Sequence, residues 1–355
     1  MRIIDGDGHV FEGANGSELV RAHLPEPYAS AGVRMVFPEI DPLHNEPVEM
    51  LEDSGVNQGP VGAKEWEVFL DEVGIDATVL YPSAGLAVGL ITSRDWAIAV
   101  CRAYNDWLHE SHLKDHQALN GMALIPLQDP DAAVDELRRA VNELGMPGAM
   151  LPANGLPTPL GSKQFWPVYA EAERLGCALA VHGGSAMRLG FDFMDVRPGA
   201  HALAHPFSVL VSLTSMLFNG VFDRHPGLRV AFLEGGVAWL LLAWERFDRS
   251  YSTHVPYNVR GDLLELAPGE SVADRLAQLA DEGRFVVGCE GEEPELVRGV
   301  QLIGDAFMFS SDFPHEVSAQ MCKEELVEVR EQEALTGAQK AAILGDVAAR
   351  FYRLA

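Results

Sequence analysis

Basic residues are scarce in this chain: 26 lysines and arginines stand against 52 aspartates and glutamates, a formal charge of −26 at pH 7. A surface of that sign repels phosphate backbones and anionic lipid head groups, so neither nucleic acid nor a membrane surface is an expected partner. Cysteine is sparse as well. Cys101, Cys177, Cys289 and Cys322 lie far apart with no CxxC spacing, which argues against a zinc knuckle or a disulfide framework and leaves them as buried thiols. The longest apolar run, Val237–Trp244, falls far short of the roughly 20 residues of a membrane span. The opening residues MRIIDGDGHVFE carry charge where a secretory signal would be apolar, so a cytoplasmic location is expected. No G-x-G-x-x-G or G-x-x-x-x-G-K-[ST] follows an early apolar run, and nucleotide-binding open sheets therefore lack their signature.

What the chain does have is a regular alternation. Short runs rich in Val, Ile, Leu, Met and Ala recur at Arg2–Asp5, Ala77–Tyr81, Asn120–Pro126, Gly148–Leu151, Cys177–His182, Leu228–Glu234, Arg284–Cys289 and Ala306–Ser310. Between them lie amphipathic stretches with helical spacing: Lys64–Val73, Arg94–His112, Asp131–Leu144, Phe165–Leu175, Pro206–Phe222, Ala238–Tyr251, Val272–Asp281 and Pro294–Leu302. In Asp131–Leu144, for example, Ala133, Val134, Leu137, Ala140, Val141 and Leu144 share one face. Asp129 and Ser93 offer N-cap side chains, and Gly145, Gly176 and Gly304 follow helical runs as C-cap glycines do. Eight buried strands alternating with helices predict an α/β fold, a closed (β/α)8 TIM barrel forming one domain over residues 1–355, with an open doubly wound sheet as the rival. Long βα segments, Gly13–Ala63 and Ser185–Ala204, are expected to build the active-site side, and Glu324–Leu354 to supply two closing helices.

Ionisable residues sit where buried strands should give way to turns. The first run leads into Asp5, Asp7 and His9, the fifth ends in His182, the sixth in Glu234, and the eighth leads into Asp312 and His315. A barrel brings all its strand ends to one rim, so Asp7, His9, His182 and Asp312 should converge across nearly the whole chain. Two imidazoles and two carboxylates suit Zn²⁺, Mn²⁺ or Fe²⁺. Asp7 and His9, two apart on a strand, face the same side.

With IIDGDGHVFE, FLDEVGIDATVLYP, AVHGG, GVFDRHPGLRVAFLEGG and FMFSSDFPH in place, the chain resembles the amidohydrolase-related family of the amidohydrolase superfamily over nearly its whole length. That family includes α-amino-β-carboxymuconate-ε-semialdehyde decarboxylase and aromatic acid decarboxylases. The resemblance implies a metal-bearing barrel whose ligands here are Asp7, His9, His182 and Asp312, and nonhydrolytic decarboxylation of a small carboxylated aromatic or conjugated substrate. Three departures stand out. Asp7 replaces the His of many members and favours a harder ion such as Mn²⁺ over Zn²⁺. The fourth run, GAMLPAN, has no Lys or Glu near Met150 to bridge a second ion, so one divalent metal is expected. Glu234 stands where the family's decarboxylases carry a catalytic His.

Proton transfer therefore has several candidates: Glu234, Asp312 and His205, with Glu234 alternatively a ligand anchor or a cap on the following helix. His201, His315 and Glu290 are candidate substrate contacts at the mouth, and Glu12 is placed to orient His9. The same residues would serve a hydrolase of an amide, ester or lactone, and a non-catalytic metal-binding or ligand-binding barrel is a third reading. The expected partners are a small-molecule substrate and, for a homodimer, a second copy of the chain.

Overall fold

The computed structural model describes residues 1–12, 18–32, 35–40, 61–185, 187–191, 193–257, 259–260, 263–315 and 317–354. Strands β1 (Ile4–Val10), β2 (Ala77–Pro82), β3 (Leu119–Gly121), β4 (Ala123–Leu124), β5 (Gly148–Pro152), β6 (Ala178–His182), β7 (Arg229–Leu233), β8 (Phe285–Cys289) and β9 (Phe307–Phe309) pair in parallel, each with its neighbour in sequence. The expected third strand is interrupted at Met122, which divides the ladder into β1–β3 and β4–β9. Met122 still donates its N–H to Leu80 O at 2.9 Å, so the wall continues across the break. At the other seam β1 meets the segment after β9: His9 N–H reaches Phe313 O at 2.7 Å and Asp312 N–H reaches Asp7 O at 3.0 Å. The eight-fold alternation read from the sequence is thus a closed barrel, with one strand in two pieces.

Helices coat the barrel: α1 (Glu18–Arg21), α2 (Ala63–Val73), α3 (Arg94–Leu108), α4 (Pro130–Asn142), α5 (Trp166–Leu175), α6 (Arg197–Phe218), α7 (Val221–Arg224), α8 (Ala238–His254), α9 (Val272–Asp281), α10 (Leu296–Ile303), α11 (Ala319–Glu331), α12 (Gly337–Ala341) and α13 (Val347–Tyr352). Their ends follow local chemistry. Ser93 and Asp129 accept the N–H groups of Trp96 and Ala132, opening α3 and α4, and Gly176 takes a left-handed φ of 62° to end α5. On α4, Ala133, Leu137 and Ala140 are fully buried, as their spacing requires. All four cysteines are free and buried.

Two helical expectations need correction. α6 begins at Arg197 rather than at Pro206, so Pro206 sits inside the helix and both His201 and His205 are helical. Proline at that place gives up one backbone bond, which the turns around it tolerate. α11 likewise starts at Ala319, where the Ser318 hydroxyl caps it by accepting from Met321 N–H. By length and composition α6 could cross a bilayer. It is nevertheless a barrel helix: it packs against β6 and α8 and carries His205 toward the mouth.

Candidate active site

β1 carries one residue too many. Asp5 pairs with Thr78 but Gly8 with Leu80, so three steps on β1 match two on β2, and the extra residue makes a bulge at Gly6–Asp7. Asp7 and His9 are both buried, as is every residue of β1. Opposite them, Asp312 in the segment after β9 and Glu234 directly after β7 take left-handed φ angles of 53° and 57°. For residues with a Cβ this conformation costs on the order of 1–3 kcal/mol and is commonly found where side chains must be aimed.

The ring orientations are fixed by carbonyls. His9 Nδ1–H donates to Pro82 O and His182 Nδ1–H to Gly183 O, each at 2.9 Å. Both Nε2 atoms are thereby left to face carboxylates: His182 Nε2 lies 3.1 Å and His9 Nε2 3.6 Å from Asp7 Oδ1, and His9 Nε2 lies 3.3 Å from Asp312 Oδ1. The orientation expected of Glu12 is therefore supplied by the Pro82 carbonyl. Glu12 instead accepts the backbone N–H groups of Ala84 and Gly85, at 3.1 and 3.0 Å, and burial pushes its pKa up to about 7.

The donor atoms converge closely enough to hold a cation. His9 Nε2 is a buried nitrogen with no hydrogen-bond partner, and the ligating atoms of Asp7, His9 and His182 lie within 4.8 Å of one another. Burial pushes the Asp7 pKa up to about 7 against the pull of His182. Burial also opposes a charge on His182, but Asp7 and Glu234 outweigh it and raise its pKa to about 9. His9, desolvated and next to two other imidazoles, is held well below its ordinary value and stays neutral. Asp7, His9 and His182 fit a divalent ion as one group, and Asp312 lies in a second candidate group that shares His9.

His315 groups geometrically with His9, Glu234 and Asp312. Both its nitrogens are engaged, Nδ1 with Asp312 Oδ1 and Nε2 with Ser83 Oγ, each at 2.8 Å, which makes it a brace on Asp312 rather than a ligand. Ser83, directly after β2, is not ionisable and so carries no mark in the sequence of the kind that singles out the other residues. Glu234 Oε2 stands 3.0 Å from His205 Nδ1 and 3.2 Å from His182 Nδ1, without aligned donation from either. Burial favours its neutral form, but His205 and His182 outweigh that and hold Glu234 ionised. His205 in turn is desolvated, yet the Glu234 carboxylate raises its pKa. Ahead of α8, Glu293 accepts the N–H of Val237, while Glu234 Oε2 has no hydrogen-bond partner.

The other candidates lie outside the cluster. His201 is exposed one turn before His205, with ring centres 4.9 Å apart. Glu290, after β8, reaches solvent. The protein around its carboxylate and the acids Glu293, Glu325 and Asp312 nevertheless push its pKa up to about 8. Of the two long loops, Ser185 Oγ donates to Ile40 O at 2.7 Å and ties them together. Much of the expected Gly13–Ala63 loop lies outside the described residues. A cavity of about 440 Å³ lined by Met35–Glu39, Leu90–Ser93 and Trp96 contains none of the site residues.

A family model described as amidohydrolase matches residues 4–354. The chain belongs to the amidohydrolase family. It is 29% identical to the gamma-resorcylate decarboxylase of Rhodococcus jostii (strain RHA1) over 260 residues, 70% of this amidohydrolase and 75% of that protein. It is also 29% identical over 140 residues to the 2-amino-3-carboxymuconate-6-semialdehyde decarboxylase of Dictyostelium discoideum, covering 39% of this chain and 38% of the relative. Among solved structures, the amidohydrolase shares its fold with 5-carboxyvanillate decarboxylase from Novosphingobium aromaticivorans, solved with manganese and a nitrobenzoic acid. That similarity has a TM-score of 0.73 at 17% identity and covers 99% of this chain and 96% of that one. The family and barrel expected from the sequence are both shown.

Proposed function

We propose that this amidohydrolase is a metal-dependent, nonhydrolytic decarboxylase of a small carboxylated aromatic or conjugated molecule. The observation that carries this reading is the His205–Glu234 pair beside the Asp7, His9, His182 and Asp312 donors. Where decarboxylases resembling this chain carry a His on the strand, the chain has a carboxylate and brings an imidazole to it from α6. The carboxylate-rich donor set favours Mn²⁺ over Zn²⁺. A bound divalent ion supplies a Lewis acid for the substrate's carboxylate and adjacent oxygen.

The chain's own residues then handle the proton. His205, kept protonated by Glu234, donates to the ring carbon that bears the carboxylate; the bond between that carbon and the carboxylate breaks, carbon dioxide leaves, and its electron pair restores the conjugated system. His205 recovers its proton from solvent. One proton is consumed and one carbon dioxide released per turnover, so the balance closes. Ser83 and His315 hold Asp312 in place, and Glu234 neutralises the imidazolium.

A second reading, hydrolysis of an amide, ester or lactone, is favoured by the surplus of carboxylates at the mouth, since either Asp312 or Glu234 would accept the proton of an attacking water. The deciding experiment uses protein separately loaded with Mn²⁺ and Zn²⁺, assayed for metal content by elemental analysis and screened against carboxylated arenes, cyclic amides and lactones. Close to one ion per chain, with carbon dioxide release from a carboxylated arene, is expected. Ring-opened acid without carbon dioxide would establish the hydrolase, and no turnover by metal-loaded protein would support a non-catalytic barrel.

A further inference from the structure

We propose that Asp5 is the positioning residue of this metal centre, gripping the two backbone segments that carry Asp7 and Asp312 and so setting the distance between those ligands. Asp5 is completely buried, and its carboxylate receives four hydrogen bonds. Oδ1 accepts the N–H groups of Asp7 at 3.2 Å and Ser311 at 2.9 Å; Oδ2 accepts the hydroxyls of Thr78 at 2.7 Å and Ser311 at 2.8 Å. Three of these four bonds go to residues that are, or adjoin, the ligands.

The need for such a grip follows from the backbone. The β1 bulge takes Asp7 out of the regular ladder with β2, and an amide left unpaired there would carry the desolvation cost of a buried donor. Asp5 meets that amide from two residues away. Asp312, on the facing segment, holds an unfavourable φ of 53°, and the residues on either side of it are pinned: Ser311 by Asp5, and Phe313 N–H by Ser311 Oγ at 3.1 Å. The two segments are joined directly as well, through Asp312 N–H to Asp7 O. One carboxylate thus fixes the segments that carry Asp7 and Asp312 without reaching any candidate ligand atom. Gly8 makes room for it, since a Cβ at that position would lie 2.9 Å from Asp5 Oδ2.

This inference rests on Asp7 and Asp312 being ligands, so the test reads metal affinity directly. Mn²⁺ is titrated into metal-free protein and free ion is followed by electron paramagnetic resonance, alongside thermal unfolding of the metal-free forms. Asp5→Asn is expected to raise the Mn²⁺ Kd by about 10–100-fold, the usual effect of removing a group that orients ligands. Ser311→Ala, which loses the hydroxyl bonds to Asp5 and Phe313, should weaken binding in the same direction and carries the test if Asp5→Asn does not fold. Thr78→Val removes one bond to Asp5 but none to a ligand-bearing segment, so its Kd should stay within about threefold of the original while its Tm falls. Unchanged Kd values in Asp5→Asn and Ser311→Ala would overturn the proposal, as would equal weakening in all three. If the unmodified protein binds no divalent ion, the ligand set fails first and the proposal with it.

Discussion

Glu234 meets two imidazoles at once, and what each does for it can be separated by substitution. Glu234→Gln preserves shape and removes the charge. If the His205–Glu234 pair delivers the proton, the variant should keep its metal and its fold while kcat drops about 10²–10⁴-fold; steady-state kinetics with parallel metal analysis reads this out. The pH profile carries a sign of its own. Glu234 raises the His205 pKa, so the protonated donor persists to higher pH and activity declines as pH rises through that value. Without the carboxylate, the alkaline limb should move to lower pH. The contribution of this ion pair to stability follows the same direction: it is full below the ordinary histidine value of about 6.5 and is lost as pH climbs through the raised one. For the ligands, His182→Ala and Asp312→Ala are each expected to lose most bound metal and nearly all activity while circular dichroism still shows a folded barrel.

At the scale of elements, β1 is the least forgiving part of the molecule. A Cβ on Gly8 would come within 2.3 Å of Trp66 and 2.9 Å of Thr78 Oγ1, so Gly8→Ala should destabilise by about 1–3 kcal/mol through overpacking. Urea unfolding monitored by Trp fluorescence measures it. The barrel was legible in the sequence because parallel strands buried on both faces read as continuous apolar runs, and because Asp7, His9, His182 and Asp312 interrupt those runs at their ends. Less was legible where partners are backbone atoms. Nothing in the string of letters marks the Pro82 carbonyl as the acceptor for His9, and Glu12 looked better placed. Pro206 reads as a helix start, and only the packing of α6 on α8 shows the helix running back through His205. Met122 breaks a strand inside an unbroken apolar run, a place where composition carries no punctuation.

For the molecule as a whole, the sparse cysteines report on integrity. All four are buried, and desolvation raises every thiol pKa, so an aromatic disulfide reagent should find no reactive thiol in the native protein and four after denaturation. Partial reaction in the native state would reveal local opening. The seam between β1 and the segment after β9 has a different consequence, one of timing. Asp5 and Ser311 touch across 306 residues of chain, and Tyr352 closes the same end by donating its hydroxyl to Gly6 O. At roughly 5–20 residues per second on the ribosome, these partners are made about 15–60 s apart. A nascent chain holding Asp7, His9 and His182 has three of the proposed donors and no seam, and it gains the fourth only once Asp312 is made. On our proposal the complete ligand set is thereby a property of the seam: a fragment that stops before Ser311 carries neither the fourth donor nor the grip of Asp5.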